Sequence, residues 1–165
     1  HPGKKLLFMG QDFGQYQEWS EERELDWYLL GEQSHQQLQN YVKQLFALYK
    51  KYPALYANDA TPQGFEWINA DDATRSIYSF IRLSPTGRNN LLFVINYTPV
   101  ARDDYRVGVP KRKQYKLILN SREPEFGGHE HKEQLVYKSV KKECDGRPYS
   151  FAYPLPAYGV AVFLF

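Results

Sequence analysis

The chain has 165 residues and a hydrophobic fraction of 42%, which is enough for one compact domain plus a partial second unit and argues against disorder. Its formal net charge is only +2, from 21 basic and 19 acidic residues, whereas a nucleic-acid-binding protein normally carries a much stronger positive field. No apolar run approaches the ~20 residues of a membrane span, and the single cysteine, Cys144, can form no intrachain disulfide, so we expect a cytoplasmic protein without nucleic-acid or membrane partners.

The first 57 residues are predicted to form a strand, a long loop and a helix. Leu6–Met9 is an all-apolar run, typical of a strand that is covered on both faces. Ser34, with Gln37 three residues on, predicts a capping box, apolar residues then recur at helical spacing through 38–52, and Pro53 ends the helix. Because the chain enters its first strand a few residues after His1, with no initiator Met, we interpret it as a piece of a longer protein.

Residues 58–165 are predicted to form an antiparallel β-sandwich of the Greek-key type. Apolar runs of strand length alternate with turn residues at short intervals, which is typical of this architecture. The predicted strands are Phe65–Ile68, Ile77–Leu83, Leu91–Tyr97, Tyr105–Val109, Tyr115–Leu119, Leu135–Tyr137, Tyr149–Tyr153 and Val160–Phe165. The third and the last are continuously apolar, so we expect the helix to cover their second face. The predicted fold class is therefore mainly β: a sandwich domain, residues 58–165, preceded by an incomplete strand–loop–helix unit, residues 1–57.

Several motifs together point to one family of enzymes. The first is LLFMGQDFGQ at residues 6–15, followed by Glu18-Trp19 and by LDWYLL at residues 25–30. The others are SIYSFIR at 76–82, NYTP at 96–99, LNS at 119–121 with FGG at 126–128, and LPA at 155–157. Over essentially its whole length the chain resembles bacterial glycogen (1,4-alpha-glucan) branching enzymes of the alpha-amylase superfamily, from the last strand of their (β/α)8 barrel onward. Asp12 departs from the pattern, because such proteins usually carry Glu there.

The resemblance implies a reaction in which an α-1,4-linked glucan chain is cleaved, held as a glycosyl-enzyme and transferred to a 6-hydroxyl to form a branch. In this family the carboxylate nucleophile, the general acid and the transition-state-stabilising Asp follow barrel strands four, five and seven. The resemblance begins at strand eight. We therefore expect no catalytic residue, metal or cofactor in this chain, and a supporting role beside the missing barrel and N-terminal domains of an enzyme whose partner is glycogen.

The resemblance also places the loop after Met9 on the side of the barrel that carries the active site. Trp19 and Trp27 are then candidate sugar platforms, since an aromatic ring packs on the apolar face of a glucose ring. Asp12 and Gln15 are candidates to hydrogen-bond a sugar or to orient a neighbouring barrel residue. The alternative for all four is structural, because large aromatic side chains are usually buried and polar side chains are usually satisfied within the protein.

Two other functions stay open on the sequence. An autonomous carbohydrate-binding module would hold glycogen through a row of exposed aromatic residues; Phe65 and Trp67 share one face of a strand, but burial preferences predict that this face is core. Another enzyme of the same superfamily, such as a maltooligosyltrehalose trehalohydrolase, has similar strand-eight motifs. The pairing of Glu18-Trp19 with Leu25-Asp26-Trp27 favours a branching enzyme.

Three further features are interpreted as structural. The cluster His129-Glu130-His131, with Glu133, has ligand types that suit a metal, but after two glycines it is more typical of a solvated turn. The basic residues of 111–113 and 138–142 are interpreted as hairpin tips that protect strand edges. Cys144 is interpreted as a plain free thiol.

Overall fold

The computed structural model describes residues 3–130 and 134–165. One α-helix, α1 (Gln33–Lys51), precedes all of the strands, and short 3₁₀ helices lie at Trp27–Gly31, Pro53–Leu55, Pro62–Gly64 and Pro124–Phe126. The strands are β1 (Phe65–Asn69), β2 (Ile77–Arg82), β3 (Leu91–Asn96), β4 (Arg102–Val109), β5 (Gln114–Asn120), β6 (Val136–Lys138), β7 (Tyr149–Leu155) and β8 (Val160–Leu164). Within the described ranges, no helix combines the length and the apolar character needed to cross a membrane.

The strands form two sheets in which all neighbours are antiparallel. The larger sheet has the order β1-β2-β3-β8-β5-β6, and β4 pairs with β7 in the smaller one. The chain passes to the small sheet after β3 and again after β6, and β8 returns to lie between β3 and β5. Such a return of a late strand beside earlier ones is typical of Greek-key connections. The predicted antiparallel sandwich and its eight strands are confirmed.

The main core lies between the two sheets and is rich in aromatic rings. Phe163 of β8 meets Phe151 and Tyr153 of β7 across the interface, with ring centroids 5.2 and 5.0 Å apart. Tyr115 of β5 stacks on Phe151 at 5.1 Å. All four rings are at most 2% exposed. Many of the chain's 14 tyrosines and 10 phenylalanines therefore serve packing, where each pair adds roughly 0.5–1.5 kcal/mol to the burial of its area.

The helix packs on the outer face of the large sheet, as the sequence predicts. Leu48 and Tyr52 lie in one buried cluster with Leu91 of β3, Leu119 of β5 and Val162 of β8. These strands are covered on both faces, which explains why β3 and β8 lack an alternating pattern.

The start of the helix differs from the prediction. The helix begins at Gln33, its N-cap is Glu32, and no side chain caps it. Ser34 therefore lies inside the first turn, and the predicted capping box is wrong. Because Gln36 N donates to the Glu32 carbonyl at 3.1 Å, the backbone starts the helix two residues before the point that the capping residue suggested.

The apolar run Leu6–Met9, predicted as a strand of the barrel of a longer protein with no partner in this chain, forms no strand here. Residues 4–8 adopt no regular secondary structure, and the four side chains of 6–9 are between 42% and 87% exposed. Lys5 holds the segment to the body of the protein through an ion pair with Asp59 at 3.0 Å. A strand needs a neighbour to receive its backbone hydrogen bonds, and neither sheet of the described chain includes this segment.

Candidate functional site

The loop between residues 8 and 19 forms an open groove of about 480 Å³. Its lining includes Phe8, Gln15, Tyr16 and Trp19. Phe8 meets the half-buried Trp19 edge to face, with ring centroids 5.5 Å apart. Three aromatic side chains therefore line a groove that has both polar and apolar surface.

The loop keeps its shape through glycines and one buried anchor. Gly10 and Gly14 have φ angles of +75° and +72°, and residues with a Cβ rarely adopt such angles. Between them Phe13 is fully buried, with its ring 5.2 Å from that of Trp27. The carbonyl of Phe13 lies 2.6 Å from Nδ1 of His35 on α1. Helix and loop are thus joined at the centre of the loop.

Gln15 is used within the loop. Its Nε2 donates to the Gln17 carbonyl at 2.7 Å, and its Oε1 accepts from the backbone N–H of Asp26 at 2.9 Å. Asp26 is itself buried and paired with Arg23 at 3.1 Å. Gln15 therefore supports the groove by tying two parts of the loop together, and its direct contact with a sugar stays a prediction.

Of the residues predicted to bind sugar, the structure brings Gln15 and Trp19 to the groove and places Asp12 elsewhere. The half-buried Asp12 faces α1, where Gln39 Nε2 lies 3.5 Å from Oδ2. Trp27 is 49% exposed and packs on Phe13, which fits the structural interpretation of that residue. The sequence reasoning missed Tyr16. The sequence feature that could have identified Tyr16 is an aromatic residue two positions after Gly14 in a loop rich in polar residues.

A second aromatic surface lies on the outer face of the large sheet, beside the strands that α1 covers. Phe65 and Trp67 of β1, Phe80 of β2 and Phe93 of β3 form a continuous row, with neighbouring ring centroids 4.8 to 5.7 Å apart. Tyr78 and Tyr97 make a separate ring contact at 5.7 Å.

The expectation that Phe65 and Trp67 point into the core is wrong for Trp67, which is 49% exposed. Ile68, on the opposite face of β1, is the residue that enters the core between the sheets. The physical reason is that β1 is an edge strand, and the cluster beneath α1 takes its sheet residues from β3, β5 and β8. Among the described residues, no element covers Trp67 as α1 covers the outer face of β3, β5 and β8.

The metal interpretation rests partly on His131 and Glu133, which lie outside the described residues. Within 3–130 and 134–165, no group of three His, Cys, Asp or Glu side chains is placed to hold a metal ion. The basic residues of 111–113 and 138–142 come together, because Ser139 N donates to the Lys113 carbonyl at 3.1 Å and Lys113 N donates to Ser139 Oγ at 3.0 Å. Their side chains are exposed where β5 pairs with β6.

Cys144 lies beside β4, and its thiol faces the Arg106 carbonyl at 3.4 Å and the Asp145 carboxylate at 3.5 Å. Burial raises the pKa of the Cys144 thiol to about 11, and the charge of Asp145 adds to the rise. A thiol with such a pKa is a poor nucleophile at neutral pH. The structure therefore supports the interpretation as a plain thiol.

The sequence of residues 67–165 matches the family described as "Alpha amylase, C-terminal all-beta domain". The chain belongs to this family. The match begins inside β1 and runs to the end of the chain, so the alpha-amylase C-terminal domain comprises the two sheets, while α1 and the groove lie ahead of it.

Similarity to individual proteins extends over the whole chain. A 1,4-alpha-glucan branching enzyme, GlgB, of Butyrivibrio fibrisolvens is 51% identical over 165 residues, which is 100% of this chain and 26% of that enzyme. The branching enzyme GlgB of Bacillus caldolyticus is 43% identical over 98% of this chain and 24% of its own length. The predicted resemblance is confirmed, and the chain spans about a quarter of the length of the curated relatives that it matches.

A solved structure gives a weaker match. An isomaltulose synthase mutant of Erwinia rhapontici NX5, in complex with D-glucose, aligns with 77% of this chain and 17% of its own, with 17% sequence identity and a TM-score of 0.47. The likeness is partial.

Proposed function

We propose that this chain is the C-terminal part of a 1,4-alpha-glucan branching enzyme, which forms α-1,6 branches in glycogen by transferring cleaved α-1,4 glucan segments. The observation that carries the proposal is the 51% identity to such an enzyme across every residue of the chain. Retaining chemistry of this kind needs two carboxylates about 5–5.5 Å apart on either side of the scissile bond. We assign those groups to the part of the enzyme that precedes this chain and assign no catalytic residue here.

In this proposal residues 1–57 complete the catalytic barrel and residues 58–165 form the sandwich that supports it. The apolar side chains left exposed in the first unit support this division. Leu38, Leu45 and Phe46 of α1 are 37%, 37% and 47% exposed, and Leu6 is 87% exposed. Apolar groups of this size are stabilised by burial, so a barrel packed against α1 and residues 6–9 would cover them.

The groove is proposed to contact the glucan chain. It combines aromatic rings with polar backbone, which is the mixture that a sugar ring requires on its apolar face and at its hydroxyls. We further propose a cytoplasmic enzyme that uses no cofactor. The lone free Cys144 supports a reducing compartment.

The test of the proposed function is an assay of the parent enzyme on amylose. A branching enzyme increases the number of α-1,6 linkages, counted by proton NMR of the product, without a matching release of reducing ends. Hydrolysis to reducing sugar with no new α-1,6 linkages would contradict the proposal and favour another member of the superfamily, such as the trehalohydrolase.

The exposed row that includes Trp67 supports a second candidate function, a glucan-binding surface on the sandwich itself. The test is native electrophoresis of this chain in gels with and without glycogen. Trp67→Ala should weaken retardation by glycogen, whereas Tyr28→Ala, which removes a 69% exposed ring from a different element, should not. Equal retardation of both variants and the wild type would contradict this second function.

A further inference from the structure

Tyr16 lines the groove, and the hydroxyl of this exposed aromatic side chain contacts a buried histidine. Tyr16 is 74% exposed, yet its hydroxyl lies 3.1 Å from Nε2 of His35. The two rings meet edge to face, with centroids 5.1 Å apart and an interplanar angle of 81°. His35 is only 6% exposed. A buried residue of α1 therefore fixes the outer end of a side chain that otherwise faces solvent.

The direction of these hydrogen bonds follows from the chemistry of the partners. Nδ1 of His35 lies 2.6 Å from the carbonyl oxygen of Phe13, and a carbonyl oxygen can only accept. Nδ1 therefore carries the hydrogen, and in the neutral ring Nε2 is left to accept from the hydroxyl of Tyr16. Oε2 of Glu32, the N-cap residue of α1, lies 3.7 Å from the same Nε2.

We propose that Tyr16 is a glucan-contacting platform of the groove and that His35 is the residue that positions it. The inference rests on the proposed function, because the ligand is the α-glucan chain. With its hydroxyl satisfied by His35, the ring of Tyr16 offers an apolar face to a glucose unit in the groove that Trp19 also lines. Fixing the ring before binding reduces the rotational freedom that binding would otherwise remove.

The experiment measures the affinity of this chain for glycogen by native affinity electrophoresis. Tyr16→Ala removes the ring and should weaken affinity about fivefold to tenfold, in keeping with the energy of one aromatic contact. Tyr16→Phe keeps the ring but loses the anchor, so a loss of about twofold to threefold is expected. Tyr28→Ala serves as the control, because Tyr28 is 69% exposed and outside the groove.

The role of His35 is tested by a double-mutant cycle. His35→Asn keeps an amide donor near the Phe13 carbonyl but removes the partner of the Tyr16 hydroxyl. The affinity of His35→Asn for glycogen should match that of Tyr16→Phe. The double variant, which combines Tyr16→Phe with His35→Asn, should bind glycogen as well as either single variant, because all three lack the same hydrogen bond. Thermal unfolding of each variant shows whether the fold is kept. If His35→Asn fails to fold, the two Tyr16 variants still decide the platform.

Each outcome bears on the inference. Unchanged affinity of Tyr16→Ala would overturn the platform, and additive losses in the double variant would overturn the positioning role. A wild-type chain that glycogen does not retard would also overturn the inference. In that case the proposed function is judged separately, by the linkages that the parent enzyme makes. Weakened binding by Tyr16→Ala, together with a parent that only hydrolyses glucan, would keep the platform and reject the branching reaction.

Discussion

The ion pair between Arg82 and Asp59 joins the segment after α1 to the large sheet, and its two ends differ in burial. The side chain of Arg82 on β2 is fully buried, whereas that of Asp59 is 13% exposed. Arg82 donates to Asp59 Oδ1 at 2.5 Å and, through Nε, to the Gly64 carbonyl at 3.0 Å. This asymmetry predicts that the loss of one partner destabilises the fold far more than the loss of the other.

Asp59→Asn removes the negative charge that Asp59 places beside the buried guanidinium of Arg82. Removing one partner of a buried pair typically costs about 3–5 kcal/mol, and because Asp59 is at the rim we expect about 2–3 kcal/mol of lost unfolding free energy. Arg82→Met should cost only about 1 kcal/mol. The Gly64 carbonyl then still accepts from Leu83 N at 3.0 Å, and Asp59 keeps Lys5 at 3.0 Å and access to water.

The assay is urea unfolding followed by tryptophan fluorescence, with free energies from linear extrapolation. The double variant of Asp59→Asn and Arg82→Met should be more stable than Asp59→Asn alone, because it also removes the buried positive charge that Asp59 compensates. If Asp59→Asn lies within 0.5 kcal/mol of wild type, or if Arg82→Met is the more damaging change, the reasoning from unequal burial is wrong.

The same pair predicts a pH dependence. Burial alone raises the pKa of Asp59, but hydrogen bonds from Arg82 and Lys5, together with their charges, outweigh burial and leave the pKa below its ordinary value. A carboxyl with a depressed folded-state pKa stabilises the fold fully above its unfolded pKa, near 3.9, and loses that stabilisation as pH falls through the folded-state pKa. Stability of the wild type should therefore decline below about pH 4, and Asp59→Asn should lack this component.

Three further predictions concern the packing and the thiol. Leu48→Ala should lower the free energy of unfolding in urea by about 2–3 kcal/mol, because Leu48 is only 8% exposed and packs between α1 and the large sheet. Phe46→Ala, at a site that is 47% exposed, should change this free energy by less than about 0.5 kcal/mol. Tyr153→Phe should leave stability unchanged or raise it by about 1 kcal/mol, because the Tyr153 hydroxyl is buried without a hydrogen-bond partner among the described residues; a clear loss in the same assay would contradict this. With its pKa raised to about 11, the Cys144 thiol should react with Ellman's reagent at pH 8 on the order of a hundredfold more slowly in the folded chain than in urea, and equal rates would show that the thiol is not shielded.

The candidate site was predicted in part. The aromatic loop and its tryptophans are visible in the sequence because glycines and polar residues interrupt every apolar period there. The contact of His35 with Phe13 and Tyr16 joins residues 22 and 19 positions apart. No local pattern reports such a contact, since His35 looks like one more polar residue in the first turn of a helix.

The sequence by itself determined the eight strands, the helix and the covering of β3 and β8 on both faces. These properties depend on side-chain period, turn residues and the absence of alternation, and each of them is local. Only the tertiary structure decided that Ile68 rather than Trp67 enters the core and that Arg82 is buried opposite Asp59. In each case the outcome depends on a contact with a segment that is distant in the sequence, and the side-chain pattern of one segment does not specify such a contact.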